Sequence, residues 1–159
     1  QRQKAGMFGI QIGYSLIELT SPQQGGCLLS RVREVRRRLS TKLDLLLHPV
    51  HIHDNLALDP NAYRIFHENV LIGRGEVFPG SYMATEMGDR PNKLGGRCAR
   101  DPIRDCNTVW LDAENKTDAE ARGWTMIDAA SVVAGHLEQL VREQASVQKM
   151  CEVTPNEQH

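Results

Sequence analysis

Aromatic side chains are scarce in this chain, at 5% of residues. No strand therefore offers the stacking platform that single-stranded RNA binders use. Cysteine is confined to Cys27, Cys98, Cys106 and Cys151, whose spacing fits neither a zinc ribbon nor a redox pair. Without a secretory signal, thiols in a reducing compartment are the expectation. No apolar run approaches the ~20 residues needed to cross a bilayer, and no signal peptide opens the chain. Nor does one sign of charge dominate. Nineteen Lys and Arg against 20 Asp and Glu give a formal net charge of −1, with no global pull toward nucleic acid or an anionic membrane.

What is present suits a soluble globular protein. At 159 residues, 40% hydrophobic and 25% charged, the chain can bury one ordinary core or two small ones that share a boundary. Residues Gln1 to Gly6 are polar and begin without methionine, which reads as the end of a linker in something longer. Phe8 to Leu19 alternates apolar residues with Gly and Gln, as a strand does. Leu28, Val32, Val35, Leu39, Leu43 and Leu46 then recur at three- and four-residue steps, so a helix is expected from Cys27 until Pro49 stops it. Val50 to His53 reads as a strand. Tyr63–Glu68 and Val70–Val77 read as a hairpin, with Asn69 and Gly73 as turn candidates.

Between these strands lies the chain's most specified stretch, Asp54-Asn55-Leu56-Ala57-Leu58-Asp59-Pro60-Asn61. Asp and Asn hydrogen-bond their own backbone, and Pro60 drives Asp59 toward an extended conformation. It is a connection that aims one strand relative to the next. Tyr82 to Met87 follows as a strand. The Gly- and Pro-bearing residues Gly88 to Asn107 read as loop. Val109-Trp110-Leu111 is a buried strand, Ala113–Arg122 a short helix ended by Gly123, and Trp124–Ile127 a last strand. Asp128 caps a final helix with the stripe Val132, Val133, His136, Leu137, Leu140 and Val141. That pattern fades from Gln144 into a tail, residues 149–159, expected to be flexible. The mixed order of elements makes the fold class α+β.

Candidate chemistry is thin. His51 and His53 share one face of a strand and could ligate metal with Cys98 or Cys106, but solvent-facing strand histidines are the default expectation. His136 lies on the apolar face of the last helix, where a hydrogen-bonded core or interface histidine outweighs a catalytic base. Five arginines and a lysine between Arg31 and Lys42 could meet phosphates, yet Glu34 and Asp44 interrupt them, so a solvated or partner-facing surface is expected. Gly73-Arg74-Gly75 opens no helix and is no phosphate loop. The acids Asp112, Glu114, Asp118 and Glu120 suit a helix start. No nucleophile–base set is supported by any local motif, so no catalytic residue, metal or cofactor is expected.

Several segments together carry a resemblance. They are Ile12-Gly13-Tyr14, Gln24-Gly25-Gly26, Asp54-Asn55-Leu56, Pro60-Asn61, Tyr63-Arg64-Ile65, Gly75-Glu76, Pro79-Gly80, Asp101-Pro102, Val109-Trp110 and Asp128-Ala129 into His136-Leu137. In this order the chain, from about Met7 to Gln144, resembles the FHIPEP family, the flagellar type III export gate proteins and their injectisome relatives. Pro79-Gly80 and Asp54-Asn55-Leu56 lean to the flagellar branch.

The resemblance implies the first two cytosolic subdomains of such a protein. A thioredoxin-like unit of residues 7–79 and 129–148 would hold a second small α/β unit, residues 80–128, inserted before its last helix. It further implies a docking platform for export substrates and chaperones at the cytoplasmic face of the bacterial inner membrane, alongside other export-apparatus components. It implies no enzyme and no nucleic-acid partner. The full-length protein would be a homo-nonamer built by parts outside this chain, and the chain itself a monomer. In flagellar members an acid, an aromatic and a small polar residue line a hydrophobic patch between subdomains. Here those positions fall on Asp101, Arg104 and Gly135. A charge in place of an aromatic anchor removes apolar area and adds a desolvation cost. The alternative from the residues alone is an RNA-binding α+β module using the arginine helix.

Overall fold

The computed structural model describes residues 3–85 and 95–157, with side chains of the terminal helix described as far as Val147. Strands β1 (Gln3–Lys4), β2 (Phe8–Ile12), β3 (Leu45–Leu46), β4 (His51–Asp54), β5 (Ala62–His67) and β6 (Val70–Glu76) accompany helix α1 (Leu28–Lys42). Strands β7 (Ser81–Thr85), β8 (Arg97–Asp101), β9 (Cys106–Asp112) and β10 (Thr125–Asp128), with helix α2 (Ala113–Ala121), precede the closing helix α3 (Ala129–Glu157). The class is α+β, as expected.

The first sheet has the order β4-β2-β5-β6, parallel between β2 and β4 and antiparallel elsewhere. Its inner face presents Ile10, Ile12, Tyr63 and Ile65, all at most 2% exposed, into a core shared with Leu28, Val32, Val35 and Leu39 of α1 and Val132, Val133 and Leu137 of α3. Each such side chain contributes about 1.5–3 kcal/mol on burial. Two helices on one face of a mixed sheet is the thioredoxin-like arrangement that the resemblance implies. The second sheet is antiparallel, in the order β10-β7-β9-β8. Alternation along its strands divides it. Met83 and Trp110 join the main core, while Ala84, Val109 and Leu111 form a smaller one with Ala119 and Trp124.

The Asp54–Asn61 connection is pinned on both sides. Asn55 N–H donates to Ile12 O (2.9 Å), Gly13 N–H to Ala62 O (2.8 Å) and Ser15 N–H to Pro60 O (2.9 Å). Asn55 Oδ1 accepts from Ala57 N–H, and Asn61 Nδ2 donates to Val77 O. A Cβ on Gly13 would strike the backbone oxygens of Asp59 and Pro60. This close approach ends β2 at Ile12. Tyr14–Leu19, expected as more strand, therefore lies in a 3₁₀ helix, Tyr14–Thr20.

Other expectations are corrected. The helix before Pro49 ends at Lys42, since Asp44 turns left-handed (φ 52°) and Leu45–Leu46 pairs with Gln3–Lys4 instead. Leu46 is thus exposed, and Gln3–Ala5 of the segment expected as a linker pack into the fold, with Ala5 3% exposed. The hairpin turns at Glu68-Asn69, both at positive φ, a type I′ geometry. Gly73 lies within β6 rather than in a turn. The loop expected over Gly88–Asn107 contains strand β8, because Arg97–Asp101 finds a partner in β9. Residues 86–94, including the end of the strand expected over Tyr82–Met87, lie outside the described residues. The last helix does not fade at Gln144. Leu140, Val141 and Ala145 remain buried, and the helix runs to Glu157 where a flexible tail was expected from residue 149.

Candidate docking surface

Asp101 ends β8 and is 3% exposed. Its Oδ1 accepts the N–H groups of Ile103 (2.9 Å) and Arg104 (3.1 Å), and its own carbonyl accepts Asp105 N–H (2.7 Å). The carboxylate thus builds the turn that follows it. Arg104 is exposed in that turn. Gly135 lies on α3 opposite it, where a Cβ would stand 3.3 Å from Ile103 Cδ1. Ile103 is the turn residue set against the helix. The structure therefore brings the three sequence-selected residues to one seam between the second sheet and α3, with Asp101 as scaffold and Arg104 at the surface.

Residues 73–75 explain how the seam closes. Gly73 and Gly75 pair with Ile65 and Tyr63, so they face the same side as those buried residues, whereas Arg74 pairs with the outward Arg64. A Cβ at Gly73 would lie 2.5 Å from Leu140 Cδ1 and 3.2 Å from His136 Nε2. At Gly75 it would lie 2.6 Å from Pro102 Cβ and 2.8 Å from Tyr63 Oη. One bare stretch of strand admits both α3 and the Asp101–Asp105 turn. Next to it runs a cleft of about 570 Å³, lined by Leu58, Ala62 and Pro102 with Arg64, Arg74 and Glu76 among its polar groups.

Beneath the seam Tyr63 Oη lies 2.7 Å from His136 Nδ1, with the rings edge-on at 5.7 Å between centroids. Burial, and secondarily the charge of Asp101, raises the Tyr63 phenol far above its ordinary range, so it stays protonated. Burial lowers His136 below its ordinary value, opposed by Asp101. His136 is thus a hydrogen-bonded core histidine. Its link to Tyr63 crosses 73 residues, so no local pattern could have shown it, nor the role of Ile103.

The other candidates lie elsewhere. His51 and His53 stand exposed on β4. Among the described residues no group of three or more His, Cys, Asp or Glu could hold a metal ion. The arginine helix is partly consumed by the fold. Arg38 bridges Glu138 (2.5 Å), Arg36 donates to Leu47 O (3.3 Å), and Arg31 stands 4.0 Å from Asp128.

The FHIPEP family pattern matches residues 2–152. The chain belongs to the FHIPEP family. Among curated relatives it is 38% identical over 138 residues to the flagellar biosynthesis protein FlhA of Yersinia enterocolitica and 36% identical over 138 residues to that of Escherichia coli K12. Either alignment covers 87% of this chain and 20% of the relative. The chain thus spans about one-fifth of the length of these relatives. Chlamydia pneumoniae CdsV has the same fold (TM-score 0.73, 15% identity, 94% of this chain and 48% of that one), and so does CdsV solved in complex with CdsO (TM-score 0.69, 15% identity, 94% and 50%). A cytoplasmic domain of Salmonella InvA matches with TM-score 0.64 at 14% identity, over 93% of this chain and 87% of that one. Among the described residues, no helix is long and apolar enough to cross a membrane.

Proposed function

We propose that this FHIPEP chain is the membrane-proximal cytosolic part of a flagellar type III export gate and serves there as a docking platform for export substrates and their chaperones. The observation that carries the reading is the convergence of Asp101, the Ile103–Arg104 turn and Gly135 on one seam beside an open cleft. The chain divides into residues 7–79 with 129–148 and an inserted unit, 80–128, so the seam lies between the two. A platform needs such a boundary and no nucleophile, consistent with a part that is not an enzyme and uses no cofactor. The full-length protein sits in the bacterial inner membrane with this part on the cytoplasmic side, contacts other export components, and forms a nonamer through regions beyond this chain. Alone, this chain is a monomer.

The flagellar branch is favoured over an injectisome homologue because the relatives above 35% identity are flagellar, whereas the injectisome neighbours match at 15% or less. Isothermal titration of the chain with a flagellar chaperone–substrate complex tests the reading. Ile103→Asp replaces the half-buried side chain that the turn sets against α3, and is expected to lower the melting temperature and to weaken binding more than tenfold, about 1.4 kcal/mol, in protein that circular dichroism shows to be folded. Equal affinity for the variant and the parent would overturn the choice of seam. RNA binding, the other reading of the arginine helix, predicts submicromolar affinity with a steep salt slope in filter binding.

A further inference from the structure

Among the described residues His136 is the one buried histidine, 5% exposed, and it stands where three parts of the fold meet. Its Nδ1 faces Tyr63 Oη of β5, its Nε2 faces the bare backbone of Gly73 in β6, and its helix neighbour Gly135 faces Ile103 of the Asp101–Asp105 turn. The charged and titratable groups around it are few. β5 offers Tyr63, since Arg64 points outward, and β6 offers none, since Arg74 pairs with Arg64 on the outer face. The β8–β9 turn offers Asp101, with Arg104 at its exposed rim. On α3 itself, Glu138 is turned toward Arg38 of α1 and Arg142.

We infer that His136 is a protonation-sensitive latch that sets the position of the Asp101–Asp105 turn. With the phenol donating to Nδ1, that nitrogen of neutral His136 is satisfied and Asp101 Oδ1 accepts the amides of Ile103 and Arg104. A proton added at Nδ1 turns that acceptor into a donor, so the Tyr63 O–H must rotate away and its oxygen accept from Nδ1–H instead. Among the described residues, the carboxylate whose charge acts on that imidazolium is Asp101. Drawn toward the imidazolium, the Asp101 carboxylate carries the amides of Ile103 and Arg104 with it, and the turn shifts. Burial holds His136 below its ordinary value while Asp101 pulls it back, so the event falls below the ordinary histidine value. His136 is in this sense a positioning residue for the proposed docking seam. The inference rests on that reading only for its biological use.

Two-dimensional NMR of the whole chain, titrated downward from pH 7.5, tests the latch without a partner. The His136 ring is expected to titrate below ~6.5, its ordinary value, and the amides of Ile103 and Arg104 to shift with the same midpoint. Tyr63→Phe removes a donor to the neutral ring and is expected to move that shared midpoint upward. In His136→Gln the amide shifts are expected to vanish in this range. Amide shifts that persist in His136→Gln, or a Tyr63→Phe midpoint that stays in place or falls, would overturn the latch. So would amides that remain still while the ring titrates. These readouts involve no docking partner, so their failure would leave the docking seam standing, and loss of the seam in the Ile103→Asp titration would leave the latch standing.

Discussion

Tyr63 Oη and His136 Nδ1, 73 positions apart in the chain, lie 2.7 Å from one another in the core where the first sheet meets the last helix. Removing the hydroxyl leaves a buried ring nitrogen unsatisfied, which costs about 1–3 kcal/mol. Tyr63→Phe is expected to lower stability by that amount in urea denaturation at pH 7.5, where His136 is neutral.

The same pair gives stability a pH dependence. His136 is lowered in the folded chain, first by burial, and returns to about 6.5 when unfolded. The unfolded state therefore binds the proton more readily. The stabilisation is complete above about 6.5 and is lost as pH falls from there through the lower folded value. Urea midpoints across this window are expected to decline in the parent and to flatten in His136→Gln.

Trp110 is 2% exposed, packs edge-on against Phe78 at 5.4 Å, and its Nε1 has no partner among the described residues. Trp110→Ala is expected to cost about 3–5 kcal/mol by chemical denaturation. Trp110→Phe should cost clearly less, because it also removes the unpaired indole N–H. A loss under about 1 kcal/mol for the alanine variant would contradict the burial of β9.

Gly73→Ala and Gly75→Ala test the closeness of the seam. Either Cβ would sit under 3 Å from a packed neighbour, Leu140 at Gly73 and Pro102 at Gly75. Overpacking of this kind costs about 1–3 kcal/mol. Thermal melts of both variants are expected to fall accordingly.

Glu138 accepts hydrogen bonds from Arg38 and Arg142 and joins α1 to α3. Burial pushes its carboxyl up, but the two arginines together hold it below the ordinary range. The stability it adds is present above the unfolded carboxylate value and is lost as pH falls through the lower folded one. Because the arginines are 40% and 42% exposed, Glu138→Gln is expected to cost only about 0.5–1 kcal/mol. Denaturation at low and high salt should show that difference shrink as salt rises.

Periodicity and turn chemistry made most elements readable in advance. The α1 stripe Leu28–Leu39, the β5–β6 hairpin, Gly123 after α2 and the Asp128 cap each depend on residues within a few positions of one another. What misled was the length of the elements. Tyr14–Leu19 carries a strand's composition, and Leu43 and Leu46 continue a helix's, but partners distant in sequence ended both. β8 was missed for the same reason, since Arg97–Asp101 has no apolar alternation and is a strand only because β9 lies alongside. At the candidate site the Asp101-Pro102 pair was recognisable, whereas the inward role of Ile103 in place of Arg104 was not.

By itself the sequence determined the α+β class, the main apolar stripes and the absence of any local catalytic motif, because these follow from spacing along a helix or strand. Only the tertiary structure decided that Tyr63, Gly73, Gly75, Asp101 and His136 share one seam. Their meeting depends on how closely β6, α3 and a turn pack together, and close packing is a property of surfaces far apart in the chain.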